Sequence, residues 1–231
     1  MNLQLFVYGV YPYIAGTVFL VGSALRFDRD PYSWKSDSSQ LLSKANMRLA
    51  SNLFHVGIIA IFLGHFVGLL TPHVVFHALG VSDVEHQYVA IAAGLAFGSL
   101  CLIGGVLLWL RRLLNQRVRS AGRRMDMFIL SWLLVTLSLG LSTIPVSIAH
   151  ARAGDPSVML ALATYVRSIA IFQPDPAVIA GVPVIFKVHL FFGMTVFLLF
   201  PFTRLVHIWS VPFGYLFRAY QVVRRKSVIV R

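Results

Sequence analysis

The sequence is poor in charge and nearly devoid of cysteine. Only 12% of its 231 residues are charged, half the roughly 25% of an average soluble domain. With 58% hydrophobic residues and a mean hydropathy of +0.77, disorder is excluded and a water-soluble globule fits poorly. The single cysteine, Cys101, excludes a disulfide framework and any Cys-ligated zinc or iron–sulfur centre, which need several thiolates. Acidic residues are also scarce: 8 Asp and Glu against 20 Lys and Arg, a net charge of +12. No P-loop or dinucleotide fingerprint is present, and the polar segments are too short for a flavin or molybdenum domain. What the chain does have is long apolar runs.

Five runs reach the roughly 20 residues that a membrane helix needs: residues 3–25, 49–71, 88–110, 127–148 and 182–206. A sixth, 158–172, is shorter and is interrupted by Arg167, so it reads as a helix on the membrane surface. The expectation is an all-α integral membrane protein, one domain over residues 1–231. No basic stretch precedes the first run and no small-residue cleavage site follows it, so it reads as a retained span.

The cations sort by side. Arg26, Arg29, Lys35, Lys44 and Arg48 lie between runs one and two. Arg111, Arg112, Arg117, Arg119, Arg123 and Arg124 lie between runs three and four. Arg204, Arg218, Arg224, Arg225, Lys226 and Arg231 end the chain. The other side has only Arg152, Arg167 and Lys187. Positive residues collect in the cytoplasm, which predicts an outer N-terminus and a cytoplasmic C-terminus. The excess charge is thereby explained without nucleic acid. Arg111 and Arg112 read as headgroup anchors or as partners for a buried anion. The tail Arg224-Arg225-Lys226 reads as a lipid- or partner-docking segment.

Histidine is where chemistry enters. His73, His77, His86 and His150 fall in outer loops or at span ends, whereas His55, His65, His189 and His207 lie within or at the ends of spans two and five. Polar groups at membrane depth are costly and tend to be functional. His55 and His65 are separated by a rise of about 15 Å, and His189 and His207 by about 27 Å on one face. Because the two spans run in opposite directions, His55 shares the cytoplasmic level with His207, and His65 the outer level with His189. Two facing imidazoles in an apolar bundle are the ligand set of a low-spin b haem. Zinc would want further ligands, and no Cys, Asp or Glu is near enough within the spans. Gly57, Gly64, Gly68, Gly94, Gly98, Gly104 and Gly105 suit either a flat haem face or close helix packing.

The residues therefore predict a dihaem transmembrane cytochrome b, with the haems between spans two and five. Its mobile membrane donor is quinol, and its acceptor is another polypeptide. Quinol oxidation needs a proton acceptor, for which His65, Glu85 and His86 are candidates, although His86 also reads as an exposed interfacial histidine. A histidine-relay transporter is the rival of another class, but no internal repeat is found, and Pro12, Pro145, Pro183 and Pro201 form no corresponding pairs. Cys101 reads as a buried apolar residue. Asp126 reads as a helix-start carboxylate or a partner of Arg123 and Arg124. Trp34, Trp109, Trp132 and Trp209 read as including interface anchors.

Four stretches carry a more specific signal: YPYIAGTVFLVGS from Tyr11, SNLFHVGIIAIFLGHFVGLLTPH from Ser51, LCLIGGVLL from Leu100 and HLFFGMTVFLLFPFTRLVHIWSVP from His189. Along its whole length the chain resembles the gamma subunits of respiratory nitrate reductases, most distinctively in FH-x9-H combined with H-x17-HIWSVP. The resemblance implies that His55 and His207 ligate a proximal haem, and His65 and His189 a distal one. It implies quinol oxidation beside the distal haem, with protons released outside. Electrons then pass to an iron–sulfur beta subunit and on to a molybdenum alpha subunit that reduces nitrate in the cytoplasm. The implied setting is the inner membrane. Gly64, His65 and Gly68 match the family's quinol-pocket stretch, and Arg112 matches an arginine near a proximal-haem propionate. His86 stands where the family has a lysine; a neutral imidazole can accept a hydroxyl proton and an ammonium cannot. The alternative function is a dihaem quinol-oxidising anchor of another cytoplasmic reductase.

Overall fold

A computed structural model describes residues 3–30 and 47–209. Lys35, Lys44, Trp34 and the tail from residue 210, with its cluster Arg224-Arg225-Lys226, lie outside the described residues. Among the described residues the chain is all helix and turn. Five helices are long and apolar enough to cross a membrane: α1 (Leu3–Arg29), α2 (Met47–Leu70), α4 (Asp83–Leu114), α6 (Arg124–Arg152) and α8 (Val184–Leu199, extended by a 3-10 turn to Phe202). Short helices α3 (His73–Ala78) and α5 (Gln116–Ala121) fill two of the connections. The sixth apolar run forms α7 (Ser157–Ala170).

The expected spans are all present, but their ends move for local reasons. α4 starts at Asp83 rather than residue 88 because Ser82 and Glu85 form a capping box. Ser82 Oγ accepts from the Glu85 amide at 3.3 Å, and Glu85 Oε2 accepts from the Ser82 amide at 2.8 Å. His86 is therefore inside the helix rather than before it. Within α1 a π-helical turn, Phe6–Val10, follows the first three residues, and regular α-helix runs from Tyr11 with Pro12 in its first turn, where a missing N–H is tolerated. α8 stops short of the expected residue 206, so His207 sits in a separate 3-10 turn, Arg204–Ile208.

The helices pack in the order α2–α4–α6–α8–α1. The α2–α4 seam is the closest. A Cβ on Gly57 would fall 2.6 Å from the Cys101 amide nitrogen, and one on Gly104 would collide with the Phe54 backbone. Small residues let the two backbones touch, the usual packing device where lipid removes the hydrophobic drive between helices. Cys101 fills the seam with no exposed surface, as expected. The other flank of α2 leaves Val56, Ile59, Phe62, Leu63, Phe66 and Val67 open.

α7 does more than lie on a surface. Its Tyr165 is 1% exposed, clusters with Ile179, Val182 and Phe186, and donates to the Tyr8 carbonyl at 2.8 Å. Burial pushes the Tyr165 phenol well above its ordinary pKa. Tyr13 donates to the Ile169 carbonyl at 3.2 Å. Thus α7 caps one end of the bundle and ties α1 to α8. Trp109 and Trp132 are also internal ties, donating to Ser131 Oγ at 2.9 Å and the Phe192 carbonyl at 3.2 Å.

Replacing Gly104 with Val forces the α2–α4 seam apart. The expected cost is about 1–3 kcal/mol, read as a lower unfolding temperature in detergent. An unchanged temperature would mean that the backbones do not touch there.

Candidate functional site

α2 and the α8 segment present four imidazoles to one another as two pairs. The His55 and His207 ring centres lie 6.4 Å apart with planes at 73°, and the His65 and His189 centres 6.2 Å apart at 52°. The expected partners are therefore together, even though His207 is not helical.

All four rings are oriented in the same way. His55 Nδ1 contacts the Ser51 carbonyl at 2.7 Å, His65 Nδ1 the Ile61 carbonyl at 2.8 Å, His189 Nδ1 the Thr136 carbonyl at 3.0 Å and His207 Nδ1 the Arg204 carbonyl at 2.6 Å. A carbonyl only accepts, so each Nδ1 carries the proton and each Nε2 keeps its lone pair. That is the tautomer a metal ligand needs, held by the usual supporting bond. Two imidazoles sharing one metal atom at about 2.0–2.1 Å would have ring centres roughly 6 Å apart, and both pairs fit. Among the described residues no group of three or more His, Cys, Asp or Glu could hold a metal ion. With two donors per site, the chemistry suits a metal whose other positions are filled by a macrocycle.

Gly140 is a site residue that the sequence reading missed. A Cβ there would fall 2.9 Å from His189 Cε1, so the bare backbone makes room for the ring. It lies one helical turn beyond Thr136, the residue whose carbonyl orients that ring. Nothing in the spacing of α6 alone signals this, since His189 arrives from another helix. The glycines expected to serve either packing or a flat cofactor face divide. Gly57, Gly98, Gly104 and Gly105 pack against neighbouring helices, whereas Gly64 and Gly94 look onto open space.

At the α7 end, His86 is 8% exposed and stacked on Phe76 of α3 at 4.1 Å, with its Nδ1 buried and unpartnered. The exposed interfacial reading is overturned, because α3 folds over the ring. Gly68 faces His86 Nε2, where a Cβ would lie 3.6 Å from that nitrogen. Glu85 is committed to the capping box. Nearby, Asp83 Oδ1 lies 3.1 Å from His77 Nε2 and 3.7 Å from His73 Nδ1. Arg167 donates to His73 Nε2 at 3.0 Å and to the Thr71 carbonyl at 3.3 Å, pinning α7 to the end of α2. At the same end, His150 Nδ1 meets Asp155 Oδ2 at 3.0 Å. Hydrogen bonds from Ser157 and His150 pull the Asp155 carboxyl down to about 2.

At the opposite end, Asp126 Oδ2 lies 3.4 Å from Arg112 Nη1 and 3.6 Å from Arg204 Nη1. Asp126 lies in the first turn of α6, as the helix-start reading expects, while its ion-pair partners are Arg112 and Arg204 rather than the neighbouring Arg123 and Arg124. The end of α4 carries Arg112 over the start of α6, and the chain after α8 brings in Arg204.

The description "Nitrate reductase gamma subunit" belongs to a family model that matches residues 4–226. The chain is 51% identical to the respiratory nitrate reductase 1 gamma chain of Escherichia coli (strain K12) over 97% of its own length and 98% of the relative's. It is 49% identical to the respiratory nitrate reductase 2 gamma chain of the same organism, over 97% and 98% of the two lengths. Identity to the nitrate reductase gamma chain of Bacillus subtilis (strain 168) is 36%, over 96% and 98%.

Burial first, and then the Arg167 cation, hold the His73 pKa below its ordinary value. Arg167→Gln removes the second cause, so the His73 pKa should rise toward 6.5. Histidine-resolved NMR titration reads this directly. An unchanged value would assign the whole depression to burial.

Proposed function

The chain belongs to the nitrate reductase gamma-subunit family, and from that premise we propose that it is the quinol-oxidising cytochrome b subunit of a respiratory nitrate reductase. The carrying observation is the pair of facing histidine couples, with every Nδ1 bonded to a carbonyl and every Nε2 available. His55 and His207 hold one b haem, and His65 and His189 the other. When bound, the haems supply one-electron redox chemistry. The chain's own contribution is to fix the rings and align two centres along the bundle.

The charge distribution supports the orientation. Among the described residues Arg26, Arg29, Arg48, Arg112, Arg123, Arg124 and Arg204 gather at the end where α1 and α8 finish, and Arg152, Arg167 and Lys187 at the other. The first end faces the cytoplasm of a cell with an inner membrane, and the α7 end faces outward. There the quinol enters beside His65, Gly64 and Gly68. Its oxidation releases two protons and two electrons. The buried, unpartnered His86 Nδ1 is the polar atom best placed to take a hydroxyl proton in this apolar setting. Arg112 lies at the cytoplasmic end, where its guanidinium suits a haem propionate as well as Asp126. The basic cytoplasmic end docks the iron–sulfur beta subunit, and electrons continue to the molybdenum alpha subunit for nitrate reduction.

Redox-titrated spectra of the purified chain test the ligand assignment. His65→Tyr should remove one b-type signal and leave the other, whereas loss of both or neither would break the pairing. For the quinol site, His86→Ala should slow quinol-driven haem reduction by about 10²-fold without altering the dithionite-reduced spectrum. An unchanged rate would remove His86 from the proton path.

A further inference from the structure

His207 is the one member of the two pairs that no long helix carries. α8 ends at Leu199, and the chain then passes through a 3-10 turn, an extended Thr203 (φ −118, ψ 178) and the second 3-10 turn that contains His207. Short 3-10 pieces have poor hydrogen-bond geometry and are weak platforms. A ligand on such a segment needs holding from outside.

Two neighbours supply that hold. Arg26, near the end of α1, directs Nη1 at both the Pro201 and Thr203 carbonyls, each at 2.7 Å. These are carbonyls freed where α8 stops, and a guanidinium answers them with short, charge-assisted bonds. α1 approaches closely because Gly22 has no side chain; a Cβ there would fall 2.8 Å from Pro201 Cγ. From the other side, Asp126 of α6 draws in the Arg204 side chain at 3.6 Å. The carbonyl of the same Arg204, next after the clamped Thr203, is the group that accepts the His207 Nδ1 proton at 2.6 Å.

We propose that Arg26 is a positioning residue for the haem ligand His207, clamping the non-helical segment 201–207 from α1 while Asp126 braces it from α6. The inference rests on the reading that His55 and His207 hold a haem. It adds that the potential and ligand geometry of that haem alone depend on a cation in the first span. Arg26 acts on the ligand through the Pro201 and Thr203 carbonyls.

The test uses the full chain in membranes and in detergent, with Arg26→Gln, Arg26→Lys and, as a control, Arg29→Gln at the exposed end of the same helix. Low-spin EPR and redox-titrated optical spectra are recorded for both haems. Amide hydrogen exchange over residues 203–207 gives a readout independent of electron transfer. In Arg26→Gln the haem assigned to His55 and His207 should shift its midpoint and its EPR signal, or be lost, so that haem content falls from two per chain toward one. The other haem stays as in wild type, and the 203–207 amides exchange faster. Arg26→Lys keeps the cation and falls between wild type and Arg26→Gln, while Arg29→Gln leaves both haems unchanged.

Unchanged spectra in Arg26→Gln would overturn the proposal. Equal disturbance of both haems would overturn it as well, since that marks a general loss of fold. If Arg26→Gln does not accumulate, Arg26→Lys decides alone, because selective disturbance of one haem supports the clamp and wild-type spectra defeat it. Absence of two b-type signals from the wild type would instead strike at the haem reading beneath it.

Discussion

Four hydrogen bonds from histidine Nδ1 to main-chain carbonyls govern the inner face of this bundle. An imidazole can offer its lone pair from only one nitrogen at a time, and a carbonyl at Nδ1 decides which. The bonds come from different depths of structure. His55 and His65 use carbonyls four residues back on α2. His207 uses one three residues back, in a turn, and His189 crosses to α6. A common chemical outcome is thus reached by helix periodicity twice, by a turn once and by tertiary packing once.

The packing around these rings follows from what lipid cannot supply. In a membrane, helices gain little by hiding apolar surface from one another, so close backbone approach and polar ties hold them together. Gly57 and Gly104 let α2 and α4 touch, Gly22 admits Pro201, and Gly140 admits the His189 ring. The indole donors of Trp109 and Trp132 and the phenol of Tyr165 add hydrogen bonds between elements. With α4 filling one side of α2, the flank that bears His55 and His65 stays open. On the proposed reading, that opening accommodates the haems.

Much of the fold was legible because hydropathy is additive along a chain. Five spans and a shorter apolar helix stand out without any knowledge of contacts. Their ends were less legible, since caps and turns decide them. Ser82 and Glu85 pull α4 back to Asp83, and a capping box of this kind is readable in principle from the spacing of the two residues. The early end of α8 is different. Pro201 was visible, but the contacts that Arg26 and Asp126, 175 and 75 positions before it, make with the segment that follows α8 were not. The burial of His86 beneath Phe76 also escaped the linear reading, because α3 folds back over α4.

The sequence by itself determined the number of spans, the sorting of cations to two ends and the levels at which the histidines would meet. Each follows from composition, helix rise and chain direction, which are local or cumulative properties. Tertiary structure alone decided which nitrogen each ring presents, which glycines are filled by neighbours and what holds His207 after its helix has ended. Those depend on atoms from distant segments meeting within about 3 Å, the range of a hydrogen bond. A pattern read along one chain does not contain that distance until the helices have packed.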